Sequence, residues 1–584
     1  MAESGTNSKR TKWFVIFGVL ILSAVGASWM LSARTLDSHE CFVSVTAREM
    51  LESGDWIIPT LNGHLRINKT PLCYWLVAGL AQITGRVDEF AARLPSAVFA
   101  VFSAAAILYF VNRWLSLRIA VISTAVWVTS LSYIRCSHSA RPDMALAFFV
   151  ILCLLSFYSA VTAGNRRIQV IYMLVFWVSL GFGSLAKGPA PLAYVLVPVF
   201  SYIAVFRQWK MPAKLLPVIG PIIFLVIVLP WPLAIAHRVN WDITIWKREF
   251  FDRLYGDYAP GRFPIYYYFG DMFKYITPWL ALLPMALAAP FYRVWGKTQP
   301  VMKFLWLWFV ADLVFLTVDV CKRQHYILPL MPAMAILIGI LLEDMAFVRK
   351  AYTPRFARNV LKGHIIAIIV GAVGGLVYLA IARPQFWGHI FGIIVGEVVE
   401  PVYVAGARSQ FLTFAIALGI VMIVATLTVA VLFSRGKPAA ACGVIFAGVI
   451  VWVMICDAGF STVLDVDRPA RDFARKVARI VPQSDKLVAY GAISSRFVQY
   501  FGKVVPEIQD KPLLYERYEQ GNWVVCTFDY LKELMPDDRI RKVYYGRQYG
   551  KEDAGGILFH KSAAVIENEG NAEHKDKPIL RGQR

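Results

Sequence analysis

Two sets of charged residues recur beside long apolar runs in this sequence. Arg48, Arg66, Lys69, Arg93, Arg135, Arg141, Lys187, Lys322 and Arg323 form the basic set, and Asp37, Glu40, Glu49, Glu52, Asp55, Asp143 and Glu249 the acidic one. Basic groups bind phosphate oxygens through charge-assisted hydrogen bonds, and a carboxylate can take the proton of a hydroxyl. The same residues also read as mutually paired structural ions, and the sequence leaves both readings open. As a constellation they point to chemistry on an anionic group.

The elements that must position them are membrane spans. Hydrophobic residues make up 58% of the chain and charged residues 17%, with a mean hydropathy of +0.54. A soluble protein carries about 25% charged residues, so most of this chain has lipid as its solvent. The apolar runs predict a polytopic α-helical membrane protein with about thirteen spans, at 13–32, 92–112, 119–135, 143–163, 168–186, 188–206, 215–236, 272–292, 304–321, 326–342, 364–382, 411–433 and 439–460. The first run is long for a signal peptide, and Trp29-Met30-Leu31-Ser32 offers no small-x-small cleavage site, so it reads as a retained anchor.

Lys and Arg resist translocation, and alternate loops are basic if Lys9, Arg10 and Lys12 are cytoplasmic. That register makes the protein a multi-pass protein of the inner (plasma) membrane. It puts loops 33–91 and 237–271 and the C-terminal residues on the non-cytoplasmic side, periplasmic or extracellular. Much of the net charge of +21 is then topological, and no nucleic-acid partner is implied. The eight cysteines show no CxxC or zinc spacing; Cys41 and Cys73 share a loop and could pair, but isolated thiols are the simpler reading.

From Asp465 charges return. A helix-like run at 468–480 and strand-like runs at 486–490, 523–527, 542–545 and 556–560 predict a small soluble α/β domain over 461–566, followed by a disordered tail at 567–584. Residues 1–460 form the transmembrane part. No nucleotide-binding glycine motif occurs, and Gly181-x-Gly183 sits inside a span, where close helix packing explains it.

Several segments resemble one family. Thr46-Ala-Arg-Glu-Met-Leu-Glu-Ser-Gly-Asp-Trp56, Pro59-x-Leu-Asn-Gly63, Lys69-x-Pro-Leu-x-Tyr-Trp75 and Ala91-Ala-Arg-Leu-Pro-Ser96 are similar to the first outer loop of the GT-C glycosyltransferases. The pattern is nearest to the lipid A aminoarabinose transferases and bacterial protein O-mannosyltransferase-like enzymes. Arg141-Pro-Asp143-Met, Leu185-Ala-Lys187-Gly-Pro189, Trp246-Lys-Arg-Glu249-Phe and Lys322-Arg-Gln-His-Tyr326-Ile-Leu-Pro329 follow in the family's order, so the resemblance covers about residues 36–340.

The resemblance implies a GT-C fold and a sugar carried on a polyprenyl phosphate. That sugar is transferred with inversion to a lipid, glycan or protein acceptor, in contact with membrane lipids. It assigns donor-phosphate binding to Lys69, Lys187, Lys322, Arg323 and Tyr326, catalysis to Glu40, Asp143 or His39, and further substrate contacts to Arg48, Arg141, Glu249 and His325. His39-Glu40 stands where many relatives have Asp-Glu, with Asp37 nearby, and Asn68 stands where many have a Glu before Lys69. The sequence therefore requires no cofactor and leaves a metal unassigned.

Plainer roles compete with these. His39 and His325 also read as polar interface residues, Lys187 and Arg141 as cations reaching headgroups, and Asp143 as a helix cap. Tyr266-Tyr267-Tyr268 and Trp279 read as an interfacial aromatic belt. The rival function is a transporter or flippase of lipid-linked glycans, but no internal repeat is evident and the charges gather at one boundary.

Overall fold

The computed structural model describes residues 2–239, 263–319, 322–348, 468–527, 542–545 and 556–561, with parts of 351–370 and 416–456 and the single positions 247, 465 and 530. Helices α1 (Ala2–Ser28), α2 (Ser38–Ser53), α3 (Leu72–Thr84), α4 (Glu89–Trp114), α5 (Leu117–Val128), α6 (Leu131–Ser137), α7 (Asp143–Val161), α8 (Arg166–Lys187), α9 (Ala190–Val205), α10 (Ile219–Val228) and α11 (Pro230–Arg238) come first. A hairpin of β1 (Thr60–Leu61) and β2 (His64–Leu65) lies between α2 and α3. Then follow α12 (Tyr267–Ile276), α13 (Leu283–Ala288), α14 (Gln299–Val318), α15 (Met331–Glu343) and α16 (Pro438–Cys456).

Local sequence sets the helix ends. Asp37 caps α2 by accepting from the Glu40 N–H while the Glu40 side chain accepts from the Asp37 N–H, and Gly54 at φ 71° ends the helix in the left-handed region. Asp88, Ser116 and Ser130 cap α4, α5 and α6 through their side-chain oxygens. Because Ser130 restarts the helix so soon after Val128, α5 and α6 meet at a 60° bend.

Among the described residues five helices are long and apolar enough to cross a membrane, or up to eight spans if each of three bent pairs is one. The five hold the expected runs 92–112, 143–163, 168–186, 304–321 and 326–342, and the bent pairs hold 119–135, 215–236 and 272–292. Shorter apolar helices lie within 13–32, 188–206 and 439–460, whereas 364–382 lies mostly outside the described residues and 411–433 is described in part. The chain is a polytopic helical membrane protein.

Close helix approach depends on small residues. A Cβ on Gly339 of α15 would stand 2.6 Å from the Ser123 Cα of α5. Gly181 and Gly183 of α8 would put theirs 3.0 Å from Ile227 and 3.1 Å from Phe149, the packing role expected of that spacing. The expected aromatic belt needs correction: Trp279 is 2% exposed and donates its Nε1 to Thr129 Oγ1 at 3.0 Å, and Tyr268 is 1% exposed, while Tyr266 stays exposed. A buried hydroxyl satisfies the indole N–H, which lets the ring serve the core. Cys41 and Cys73 are unpaired.

The C-terminal segment builds α17 (Arg468–Ile480), β3 (Leu487–Tyr490), α18 (Ser495–Phe501), β4 (Glu507–Ile508), α19 (Lys511–Glu519), β5 (Trp523–Thr527), β6 (Lys542–Tyr545) and β7 (Gly556–Phe559). The strands form one sheet in the order β4-β3-β5-β7-β6, with β3 parallel to both its neighbours and β7 antiparallel to both of its own. Phe473, Val477 and Phe497 of α17 and α18 pack on one face, and Leu514 and Tyr518 of α19 on the other. With both faces covered, β3 and β5 are buried at every position and show no alternation.

This layer docks on the loop that holds α2. Ser44 Oγ donates to Gln499 Oε1 at 2.9 Å, and Asn62 exchanges two 2.8 Å bonds with the Val505 backbone. Glu49 accepts from Thr60 Oγ1 at 2.6 Å and from the Asn62 and Gly63 N–H groups, which fixes the hairpin for that contact.

Candidate functional site

Three helix ends meet at one end of the bundle. Asp143 opens α7, Lys187 closes α8, and His325 lies in the 3-10 turn Gln324–Leu330 that leads into α15. Lys187 Nζ donates to Asp143 Oδ1, and His325 Nε2 stands 3.8 Å from the same oxygen. Lys187 Nζ also lies 4.9 Å from the centre of the Tyr326 ring, where a cation is attracted to the π face. Tyr194 OH steadies that turn by donating to the Tyr326 carbonyl at 2.7 Å. Next to Lys187, the Gly188 N–H donates to Thr70 Oγ1 at 3.2 Å, which ties the loop of Lys69 to the same place.

A second carboxylate stands beside this cluster. Arg141 Nη2 donates to Asp37 Oδ2 at 2.6 Å, so Arg141, two residues before Asp143, joins the start of α2 to the start of α7. Burial alone would lower the Arg141 guanidinium, but Asp37, then Asp143 and Glu40, raise it above its ordinary value and keep it charged. Its Nε is buried and finds no partner among the described residues. The side chains of Asp37 and Lys187 are 20% and 21% exposed, whereas that of Asp143 is 7% exposed.

Several expected site residues lie elsewhere or do other work. Glu40 is 0% exposed, and its oxygens accept from Arg93 Nε and Nη2 at 2.8 Å and from the Asp37 and Ala140 N–H groups at 3.0 and 2.9 Å. That leaves it no lone pair for a substrate, which corrects its reading as a base. Arg48 Nη1 donates to the Val498 and Gln499 carbonyls at 3.1 and 3.0 Å, serving the end of α18. Lys322 is 3% exposed and donates Nζ to the Asp319 carbonyl at 2.5 Å, on its own loop.

Arg323 is exposed two residues from His325, and its N–H donates to Tyr268 OH at 3.4 Å. His39 is exposed on α2, its ring edge-on to Phe42 at 5.7 Å. Glu249 lies outside the described residues. No group of three His, Cys, Asp or Glu side chains suited to a metal occurs among the described residues. The structure thus gathers Asp143, Lys187, His325, Tyr326 and Arg141 with the turn beside Lys69. It adds Thr70, which sequence reasoning passed over, and Asp37, which the sequence analysis counted among the acidic residues without a role of its own. Asp37 had a signal: Asp37-Ser-His-Glu40 has the spacing of a capping box, which places Asp37 at a helix start.

Known proteins resemble this chain in sequence and in fold. Residues 44–240 match the family model described as dolichyl-phosphate-mannose-protein mannosyltransferase. The undecaprenyl phosphate-alpha-4-amino-4-deoxy-L-arabinose arabinosyl transferase of Pectobacterium atrosepticum is 28% identical over 395 residues, covering 66% of this chain and 68% of that protein. Its counterpart from Yersinia pestis is 30% identical over 343 residues, 57% of this chain and 60% of that protein. Thus the chain aligns with about two thirds or less of these relatives' lengths. ArnT from Cupriavidus metallidurans, solved with undecaprenyl phosphate, superposes with a TM-score of 0.78 over 95% of this chain and 99% of that one. At 18% identity that likeness is one of fold. In sequence the chain is thus similar to the arabinosyl transferases and, over residues 44–240, to the mannosyltransferase family model, and in fold it is similar to ArnT.

Proposed function

We propose that the chain transfers a sugar, with inversion, from a polyprenyl phosphate to a lipid acceptor at the non-cytoplasmic face of the inner membrane. One observation carries the reading: two carboxylates with separate cations, Asp37 on Arg141 and Asp143 on Lys187, lie at adjoining helix ends. Displacement at an anomeric carbon needs charge stabilisation for the departing phosphate and an orienting or accepting group for the incoming oxygen.

Lys187 and Tyr326, with Lys69 and Arg323 in the adjoining turns, serve the phosphate. Asp143 holds Lys187 in place. Asp37, the more exposed carboxylate, takes the acceptor role from Glu40. The acceptor O–H gives its proton to Asp37 and its oxygen bonds to the sugar's C1. The bond from C1 to the phosphate oxygen breaks, and the electron pair leaves with the phosphate. An acceptor phosphate is already ionised, and for it Asp37 keeps Arg141 turned toward the anion.

A donor held by its lipid also accounts for a chain without a nucleotide motif. The relatives' names make undecaprenyl phosphate-linked 4-amino-4-deoxy-L-arabinose the first donor to test, and the resemblance to the lipid A aminoarabinose transferases makes lipid A the first acceptor. The charge register supports residues 461–566 as a non-cytoplasmic α/β domain on a catalytic part formed by 1–460. Mass spectrometry of lipids and glycoproteins from cells with and without the gene tests the function. Loss of one aminopentose mass from lipid A is expected, and identical lipid and glycoprotein profiles would overturn the proposal.

A further inference from the structure

Three successive backbone amides lead into α2, and a side chain from elsewhere or from the next turn holds each one. The Thr35 N–H and hydroxyl both donate to Asp465 Oδ2, at 3.0 and 2.6 Å. The Leu36 N–H donates to Tyr500 OH at 2.8 Å, and the Asp37 N–H to Glu40 Oε2 at 3.0 Å. Asp465 and Tyr500 come from the C-terminal segment, 430 and 464 residues further on.

These contacts are themselves supported. Tyr500 OH donates to Glu89 Oε1 at 3.1 Å, and Arg475 approaches the same oxygen at 3.6 Å while covering the Tyr500 ring at 5.2 Å. The Thr35 carbonyl accepts from Arg93 Nη2 at 3.0 Å. Thr35 and Leu36 are 0% exposed and Asp465 is 7% exposed. Buried amides with good partners hold the backbone still, because leaving one unpaired is costly. The place of the Asp37 Cα, and hence the reach of its carboxylate to Arg141, follows from this strap.

We propose that Asp465 and Tyr500 are positioning residues of the transfer site. Through Thr35 and Leu36 the C-terminal segment sets the Asp37–Arg141 pair that faces the acceptor. The inference rests on the reading of Asp37 as the acceptor-side carboxylate. A displacement of about 1 Å at a reacting group can cost on the order of a hundredfold in rate. Lys187 and Tyr326, on α8 and the turn before α15, are held by other bonds, so donor binding is spared.

The test uses purified full-length Asp465→Ala, Tyr500→Phe, Thr35→Val, Thr35→Ser and Asp37→Asn. Undecaprenyl phosphate-linked aminoarabinose is the donor and lipid A the acceptor, with turnover counted per molecule that binds donor. Asp465→Ala, Tyr500→Phe and Thr35→Val are expected to keep the donor Kd within about twofold and to lose about three- to thirtyfold in kcat. Thr35→Ser keeps the hydroxyl and turns over like the parent. If Tyr500→Phe and Asp465→Ala match the parent while Asp37→Asn is slow, the positioning proposal is overturned and the reading of Asp37 stands. If Asp37→Asn matches the parent, that underlying reading falls. Fewer donor-binding molecules with unchanged turnover per molecule would show a purely structural latch and also overturn the proposal.

Discussion

Arg93 grips Glu40 through two bonds of 2.8 Å, Nε to Oε1 and Nη2 to Oε2, with the side chains 2% and 0% exposed. The remaining Arg93 donors meet the carbonyls of Leu31, Arg34 and Thr35 at 2.7, 2.8 and 3.0 Å, so the pair pins the entry to α2 against α4. Removing one partner of such a pair leaves a buried charge uncompensated, at a cost of about 3–5 kcal/mol. Glu40→Gln should therefore lower the midpoint of thermal inactivation in detergent. A variant as stable as the parent but slow in transfer would return Glu40 to a catalytic role.

The same pair sets a pH dependence. Burial pushes the Glu40 carboxyl up, but Arg93 outweighs it, with Arg34 and the Asp37 N–H adding to the effect, and the group is held well below the usual carboxylate range. A depressed folded-state pKa gives stability that is present above the unfolded value of about 4.3 and lost as pH falls through the folded value. Thermal inactivation of the parent should worsen on acidification below about pH 4. In Glu40→Gln that acid-linked part should be missing, which a pH series on both proteins measures.

Lys187 and Lys322 should separate, although both adjoin similar turns. Lys187→Ala removes the cation that pairs with Asp143 and faces Tyr326, and should cost roughly ten- to hundredfold in kcat/KM, with most of the loss in donor affinity. Lys322→Ala removes a bond to the Asp319 carbonyl and should change the donor Kd by less than about threefold. Donor titrations of both variants decide, and equal losses would bring Lys322 to the phosphate.

Arg48→Ala should act on docking. Its guanidinium meets two carbonyls at the end of α18, and losing a charged donor of this kind costs about 1.5–3 kcal/mol. Limited proteolysis should cleave the C-terminal segment sooner while the donor Kd stays unchanged. A weaker donor affinity with an equally resistant segment would make Arg48 a substrate contact.

What the sequence made legible was local. Apolar runs located spans because hydropathy is a property of neighbouring residues, and short strand-like runs bounded by turn residues located β5 and β6 at the residues they occupy. Asp143, Lys187 and His325 were legible as charges at the ends of such runs. Their joining was not, since it depends on how α7, α8 and the turn before α15 pack. Arg48, Glu49 and Asn62 illustrate the harder case: they belong to the family-like loop motif, yet Arg48 and Asn62 bond residues 498, 499 and 505, and Glu49 shapes the hairpin that carries Asn62. These residues of the loop motif serve docking, and partners more than 400 residues away leave no local trace in the sequence. Trp279 misled for a related reason, because its buried acceptor Thr129 lies 150 residues earlier.

The central claim is that the sugar comes from a lipid phosphate and leaves it at the cluster of Lys187 and Asp143. The direct measurement follows purified enzyme in lipid nanodiscs by mass spectrometry, with undecaprenyl phosphate-linked 4-amino-4-deoxy-L-arabinose and lipid A, and in parallel with a sugar nucleotide in place of the lipid donor. The account predicts one free undecaprenyl phosphate for each modified acceptor, no product from the nucleotide, and a rate at least about tenfold lower in Lys187→Ala. Product from the sugar nucleotide alone, or full turnover of the lipid donor by Lys187→Ala, would contradict it.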